Sequence, residues 1–533
     1  MKRAIFSTSA FLGSLLAMAS LPQAYGQPGR PTPYAFPAGV FGKVDIETAK
    51  KTCTPQSNGT TNYKECLHTI FEQMFQNNFV SGLTVGERWD NIEPSVLACG
   101  YPEASATCDP GETQWLYLDD AVNVAKEHGG NVELDLTPGL NTPLWVLSRM
   151  GPSCDNVLIP GVAPPPHDCG WVTVTKFQQP RHADSKYLPM PWNSVYRSYW
   201  KDFLRRVRDR YITVPNSPVV AIAVTGPNAA SNEIIYPTSD SGGLIGPKPG
   251  VDADTAWALL FRNAFPGKGS DYWGSDQAIV KAWTDAIDDY ESIFSGVTLV
   301  ISPDAGNFLP ELPTPALDTS LNGLECASSK LPYSCAAKTN IISYFLYDYQ
   351  LAPNAKATRV GGMTATSPVS AANSKNGIGI GGVKLLTPTP LPLPLKPAAP
   401  LLGGAQFDHP ISQGKHIQQT GCPTYPNKKC DNLTPEEAAF SVLSVFFHGT
   451  PAAKMWGGIN GWCEGVIGPS PAPVHFVEVS FLDVQNAESE TTPQPGSTIP
   501  GIPPGTKLRD LFRQANADLL AMAHGTPIPP TCH

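Results

Sequence analysis

The sequence predicts a parallel α/β fold: a (β/α)8 TIM barrel with long Pro/Gly-rich, disulfide-stapled loop insertions. Three observations predict it. Strand-length apolar runs alternate with stretches of helical period along almost all of the 533 residues, the pattern of strands joined by crossover helices. Eight such strands are countable. The connections carry most of the 55 prolines and 47 glycines, far more proline than the roughly 5% of an average chain, so the links are long, stiff and irregular.

The strands are expected at Ala38 to Val44, Gly82 to Arg88, Asn131 to Thr137, Val219 to Thr225 and Val297 to Ser302. The sixth falls near Ile341 to Tyr347 or Arg359 to Met363, the seventh near Gly403 to Phe407, and the eighth at Val474 to Phe481. Turn residues bound each run. Helices are expected at Tyr63 to Gln76, Leu116 to His128, Ser194 to Tyr211, Asp276 to Phe294, Pro435 to Phe447 and Lys507 to Met522. The Pro435 helix has Thr434 as N-cap and Glu436 and Glu437 in its electropositive first turn. The stretch 387–400, TPTPLPLPLKPAAP, is a proline-rich arm that fits neither a helix nor a central strand. No internal repeat interrupts the pattern, so residues 27–533 read as a single barrel with inserted loops.

Residues 1–26 read as a signal peptide: Met1-Lys2-Arg3, an apolar run from Ala4 to Leu21, then Ala24-Tyr25-Gly26 before Gln27. The run is too interrupted by serines for a membrane span of about 20 residues, and no other stretch is long enough. A secreted or periplasmic protein, with no membrane partner after signal removal, is expected. The 12 cysteines suit that oxidising destination. They fall into neighbouring pairs, Cys53 with Cys66, Cys99 with Cys108, Cys154 with Cys169, Cys326 with Cys335 and Cys422 with Cys430, leaving Cys463 with Cys532. No C-x-x-C is present, so loop staples are favoured over metal ligands.

Composition excludes several functions. The net charge is -9, with no basic block to neutralise a row of phosphates, so nucleic acid is not an expected partner. Gly377-Ile378-Gly379-Ile380-Gly381-Gly382 has no strand before it and no helix after it, so it reads as a loop rather than a dinucleotide site. There is no G-x-S-x-G, H-E-x-x-H or Walker loop, and only His409 and His416 suggest a metal pair. No cofactor is expected.

In such a barrel the ligand site lies at the C-terminal ends of the strands. There the sequence places Gly86-Glu87-Arg88-Trp89-Asp90, then Asp135-Leu136-Thr137-Pro138, then Thr225-Gly226-Pro227-Asn228 with Asn232-Glu233. Carboxylates, amides and tryptophans on one rim suit an oligo- or polysaccharide: aromatic faces stack on sugars, amides bind hydroxyls, and paired carboxyls cleave the bond. The segments RWDNIEP, LYLDDAVNVAKEHGGNVELDLTPGLNTPLW and PWNSVYRSYWKDFLRRVRDRY, with SNE, resemble the barrel of the glycoside hydrolase clan with paired glutamates, particularly family 42-like β-galactosidases and cellulase-like relatives. The resemblance spans residues 80 to 240. It implies a retaining glycosidase whose acid/base glutamate follows an asparagine after strand four, matched by Asn232-Glu233, and whose nucleophile ends strand seven.

Glu233 is the candidate general acid/base. Glu478, a charge inside an apolar strand, is the candidate nucleophile, with Asp408 and Glu464 behind it. Glu478 counts onto strand eight, however, and strand seven offers Gln406, which cannot form a glycosyl-enzyme. Either the strand count is off by one, with strand one or six misplaced, or the nucleophile has been lost, which would leave a glycan-binding barrel. The stereochemical outcome depends on the carboxyl separation and stays open. Arg88 is expected either to hold the nucleophile ionised or to pair with Glu87 or Glu93. Trp89, Trp145, Trp192 and Trp462 are candidate sugar platforms or core residues. Asn228 and Asn232 are candidate hydroxyl ligands, Asn228 having turn chemistry as its rival.

Overall fold

The computed structural model describes residues 37–45, 52–53, 63–93, 112–158, 169–177, 187–229, 234–247, 249–262, 264, 276–294, 296–301, 309–312, 330–347, 356–360, 401–406, 433–434, 437, 439–440, 474–489 and 504–523. Its strands, in chain order, are β1 (Gly39–Asp45), β2 (Gly82–Arg88), β3 (Asn131–Thr137), β4 (Trp171–Lys176), β5 (Tyr187–Pro189), β6 (Val219–Ala223), β7 (Leu244–Ile245), β8 (Val251–Asp252), β9 (Thr298–Ile301), β10 (Lys356–Val360), β11 (Leu401–Gln406) and β12 (Val474–Ser480). Eight of them pair in parallel in the order β1-β12-β11-β10-β9-β6-β3-β2, and the ladder closes from β2 back to β1. Parallel neighbours need crossover connections. Helices Tyr63–Phe75, Glu112–Glu127, Ser194–Val207, Asp276–Ile293 and Pro332–Tyr347 follow β1, β2, β3, β6 and β9, and Phe481–Ser489 and Leu508–Ala523 follow β12. The connections after β10 and β11 lie largely outside the described residues.

Alternation along each strand separates two cores. Val40, Val44, Leu83, Val85, Val132, Leu134, Val477 and Val479 are buried in one cluster with helical residues such as Phe71, Leu118, Trp283 and Phe512. Phe41, Val220, Ala221, Val300 and Phe476 form a separate cluster on the strands' other face. The first set packs outward on the helices and the second fills the barrel. Lys43, Thr84, Glu133, Asp135, Thr298 and Glu478 alternate with the outward set. Their charges and hydroxyls therefore sit on the inward face.

Local chemistry fixes the helix ends. Asn193 caps Ser194–Val207, its Oδ1 accepting from the Val195 and Tyr196 N–H groups at 3.0 and 3.1 Å. Thr434 and Glu437 exchange bonds as a capping box, Glu437 N–H to Thr434 Oγ1 at 3.3 Å and Thr434 N–H to Glu437 Oε2 at 3.1 Å. The last helix grips the start of β1, where Asn516 Oδ1 accepts from the Val40 N–H at 2.8 Å.

Two expectations need correction. Ile341 to Tyr347 is helical, because the apolar residues from Pro332 onward follow a period near four, Ala337, Ile341 and Phe345 being buried on one stripe. The sixth barrel strand is instead Lys356–Val360. A second sheet, in the order β5-β4-β7-β8, was not anticipated, although Trp171 to Lys176 alternates intermediate or exposed with buried residues. Its loop is stapled by Cys154–Cys169. The Cys53–Cys66 bridge also forms, and Cys335 is disulfide-bonded. The pairs Cys99/Cys108, Cys422/Cys430 and Cys463/Cys532 lie outside the described residues, as do the signal peptide and the 387–400 arm.

Candidate active site at the strand ends

Four adjacent strands each carry an inward position two residues short of the C-terminal end: Glu478 on β12, Lys43 on β1, Gly86 on β2 and Asp135 on β3. Lys43 Nζ lies 3.9 Å from Asp135 Oδ2 and 3.9 Å from Glu478 Oε2. The two carboxylate oxygens thus stand no further apart than twice that distance. Glu478 is 0% exposed and Asp135 3%, whereas the Lys43 side chain keeps 18%. Charges this deep need a counter-charge, because desolvation alone costs several kcal/mol per ion. Lysine supplies it to both. One step lower, Thr84 stands in register with Lys43 and with Glu133, both Thr84 and Glu133 being fully buried.

The rim above this arc is built by the loops after β3 and β6. Leu140 N–H donates to Ala229 O at 2.6 Å, and Gly139 adopts φ +65°, where an added Cβ would collide with the carbonyl oxygens of Asn228 and Ala229. Thr225 Oγ1 donates to Leu136 O at 2.7 Å and shares a 2.7 Å bond with the Tyr290 hydroxyl. Tyr196 O–H donates to Gly226 O at 2.6 Å. Burial raises the Tyr290 phenol well above its ordinary value, its hydrogen bonds oppose that, and the charge of Asp135 adds to it. Tyrosine 290 is therefore a neutral hydroxyl close to the acidic arc.

A second hub lies under the β2 loop. The buried Glu93 accepts from Trp89 Nε1–H at 2.7 Å and from the Arg206 guanidinium, while Trp145 Nε1–H donates to its backbone carbonyl at 3.0 Å. Burial raises the Glu93 carboxyl, with Arg206 and Trp89 pulling it back only in part. A carboxyl raised in the fold contributes stability that is fully present below its ordinary value of 4.5 and is lost as pH climbs through the folded value. Glu93→Gln is accordingly expected to flatten the decline of unfolding free energy just above pH 4.5, read from urea titrations at stepped pH. An unchanged slope would exclude Glu93 as its source.

The sequence-predicted residues distribute unevenly. Glu478 lies in the arc, and Gln406 ends β11, the seventh barrel strand, in register with it. Glu233, Asn232, Trp462, Asp408, Glu464, His409 and His416 lie outside the described residues. Arg88 forks onto Asp90, Nε to Oδ1 at 2.9 Å and Nη2 to Oδ2 at 2.5 Å, a partner other than the expected Glu87, Glu93 or nucleophile. Its expected carboxylates are engaged elsewhere: Glu87 accepts from the Arg88 N–H and from Asn91, and Glu93 from Arg206. Trp89, 1% exposed, packs on Tyr196, Trp200 and Phe203. Trp145, 7% exposed, meets Tyr199 edge-on under Arg149. Both are buried among aromatic neighbours. Trp192 is half-buried against Phe261. Asn228 shows the turn chemistry, its Oδ1 accepting from the Gly226 N–H at 3.0 Å. Lys43 and Asp135 were not singled out as site residues, although both are charges inside apolar strands. Among the described residues no group of three or more His, Cys, Asp or Glu could hold a metal ion, and no helix is long and apolar enough to cross a membrane.

No protein-family model matches the chain, and no curated protein matches it. Among solved structures it is similar to the catalytic domain of β-amylase from Paenibacillus polymyxa, at 11% identity and TM-score 0.38 over 85% of this chain and 94% of that one. It is also similar to β-galactosidase from Bacillus circulans sp. alkalophilus, at 12% identity and TM-score 0.25 over 51% and 38% of the two chains. A third is endo-glycoceramidase II from Rhodococcus sp., at 11% identity and TM-score 0.24 over 89% and 78%.

Proposed function

We propose that the chain is a secreted (β/α)8 glycoside hydrolase that cleaves β-linked sugars with two carboxyl groups and needs no cofactor. The observation that carries this reading is the position of Glu478: inward, fully buried, two residues from the mouth end of β12 and beside Lys43. A carboxylate held there by a cation is placed to act on a sugar entering from the strand ends, where such barrels bind their ligands. Glu233, in the loop after β6, supplies the acid/base that protonates the leaving oxygen, and Asn232 serves the neighbouring hydroxyl, with Asn228 fixing the turn that leads to it. Trp192 and Trp462 are the remaining platforms for the ring face.

The test is turnover of activated aryl glycosides by wild type, Glu233→Gln and Glu478→Gln. Each substitution is expected to lower kcat/KM by roughly 10²- to 10⁴-fold, the usual contribution of a positioned acid or base. Wild-type turnover in both variants would remove the assignment. A second reading, a non-catalytic glycan-binding barrel, is favoured by one observation: β11, the seventh strand, ends in Gln406 where the resemblance implies a nucleophile. Glycan retention without any hydrolysis by wild type would select it.

A further inference from the structure

We propose that one ordered water is bound between the helices Ser194–Val207 and Asp276–Ile293, accepting from Trp200 Nε1–H and donating to the Tyr290 oxygen. The site is a cavity of about 20 Å³ that Trp200, Gly226, Ala286 and Tyr290 help to line. One water needs roughly 10–15 Å³ and two to four polar partners, so the cavity suits a single water and nothing larger. Every residue in its wall belongs to the described part of the chain. Its solvent side carries Arg197 and Asp289, whose charged groups bond each other at 2.8 Å.

Two observations point to a polar occupant. Trp200 is 4% exposed, and its Nε1–H has no hydrogen-bond partner among the described residues, which is costly for a buried donor. That nitrogen borders the cavity at Gly226, where an added β-carbon would lie in ordinary contact with it and with Ala286 Cβ, both at 3.6 Å. The gap between glycine and indole is thus the size of one methyl or one water. The acceptor follows from counting protons. Thr225 Oγ1 has one hydrogen and gives it to Leu136 O at 2.7 Å, so the 2.7 Å bond it shares with Tyr290 takes its hydrogen from the phenol. The Tyr290 oxygen then keeps acceptor capacity in the cavity that it lines. The Trp200 indole also opposes the effect of burial on the Tyr290 phenol, so the two groups stand close without closing a direct bond of good geometry. A donor facing an acceptor selects a molecule that both accepts and donates, as water does and an anion does not. Gly226 O, which accepts from the Tyr196 hydroxyl at 2.6 Å, is a further acceptor in the same wall. A water held here ties the turn after β6 to both helices, whatever ligand the barrel takes.

The experiment is a crystal structure of the wild-type chain, and of Trp200→Phe, at a resolution that shows ordered water. Wild type is expected to hold one density peak within hydrogen-bond distance of both Trp200 Nε1 and the Tyr290 oxygen. Trp200→Phe keeps an aromatic ring but removes the donor, and is expected to lose that peak. In solution, Trp200→Phe and Tyr290→Phe are each expected to lower the urea midpoint, and the double variant to lower it by less than the sum, because both break the same bridge. An empty cavity in wild type, a direct bond from Trp200 to Tyr290, or an anion in place of water overturns the proposal. So does a peak that persists in Trp200→Phe, or additive falls in the midpoint. The wild-type density decides the question even where a variant does not fold.

Discussion

Lys43→Met is expected to destabilise the fold by about 3 kcal/mol, read as a fall in the urea midpoint at unchanged slope. The methionine stem refills the space of the lysine chain, so cavity formation contributes little. What is lost is a positive charge that stands 3.9 Å from both Asp135 and Glu478. Glu478 has no exposure through which water can replace it. Removing one partner of a buried pair typically costs about 3–5 kcal/mol, because the surviving charge is left in low dielectric. The lower end applies here, since Lys43 itself keeps 18% exposure and is partly screened. A control separates charge from packing. Lys43→Met combined with Glu478→Gln and Asp135→Asn removes these three charges together and is expected to recover most of the loss. A triple variant as unstable as Lys43→Met alone would mean that shape, not charge, holds the arc.

The same residues explain how far the fold and the site were legible. β2 and β3 were read to the residue because Leu83 and Val85, or Val132, Leu134 and Leu136, face helices and bound their own runs between turn residues. The sixth strand was ambiguous because Ile341 to Tyr347 is apolar enough for either period, and only burial of Ala337, Ile341 and Phe345 on one stripe decides for helix. Glu478 was legible as a charge in an apolar strand. Lys43 in GVFGKVD and Asp135 in NVELDLT carry the same signal, but recognising them as one arc requires the register of four strands, which local pattern does not contain. Trp89 and Trp145 were illegible for the opposite reason. An aromatic after a strand has the same local sequence whether it faces a sugar or, as here, the Ser194–Val207 helix.

Gly139→Ala is expected to be the most damaging single-methyl substitution on the rim, costing at least about 3 kcal/mol. Two penalties combine. At φ +65° an alanine sits in the left-handed region, at roughly 1–2 kcal/mol, and its Cβ would lie well inside 3.0 Å of the carbonyl oxygens of Asn228 and Ala229. Overpacking against side chains typically costs about 1–3 kcal/mol, but here the obstacles are backbone atoms that cannot rotate away. The loop after β3 must then separate from the loop after β6, breaking the 2.6 Å bond from Leu140 N–H to Ala229 O. Gly129 offers the matched control: it has φ +65° as well, yet nothing stands within 4 Å of its added Cβ. Gly129→Ala therefore pays only the backbone term, about 1–2 kcal/mol, and leaves kcat/KM unchanged. Equal losses in the two variants would show that conformation alone, and not the contact between the loops, accounts for Gly139. A larger loss confined to Gly139→Ala, with a fall in turnover, would mark the contact between these two loops as what sets the height of the rim over the acidic arc.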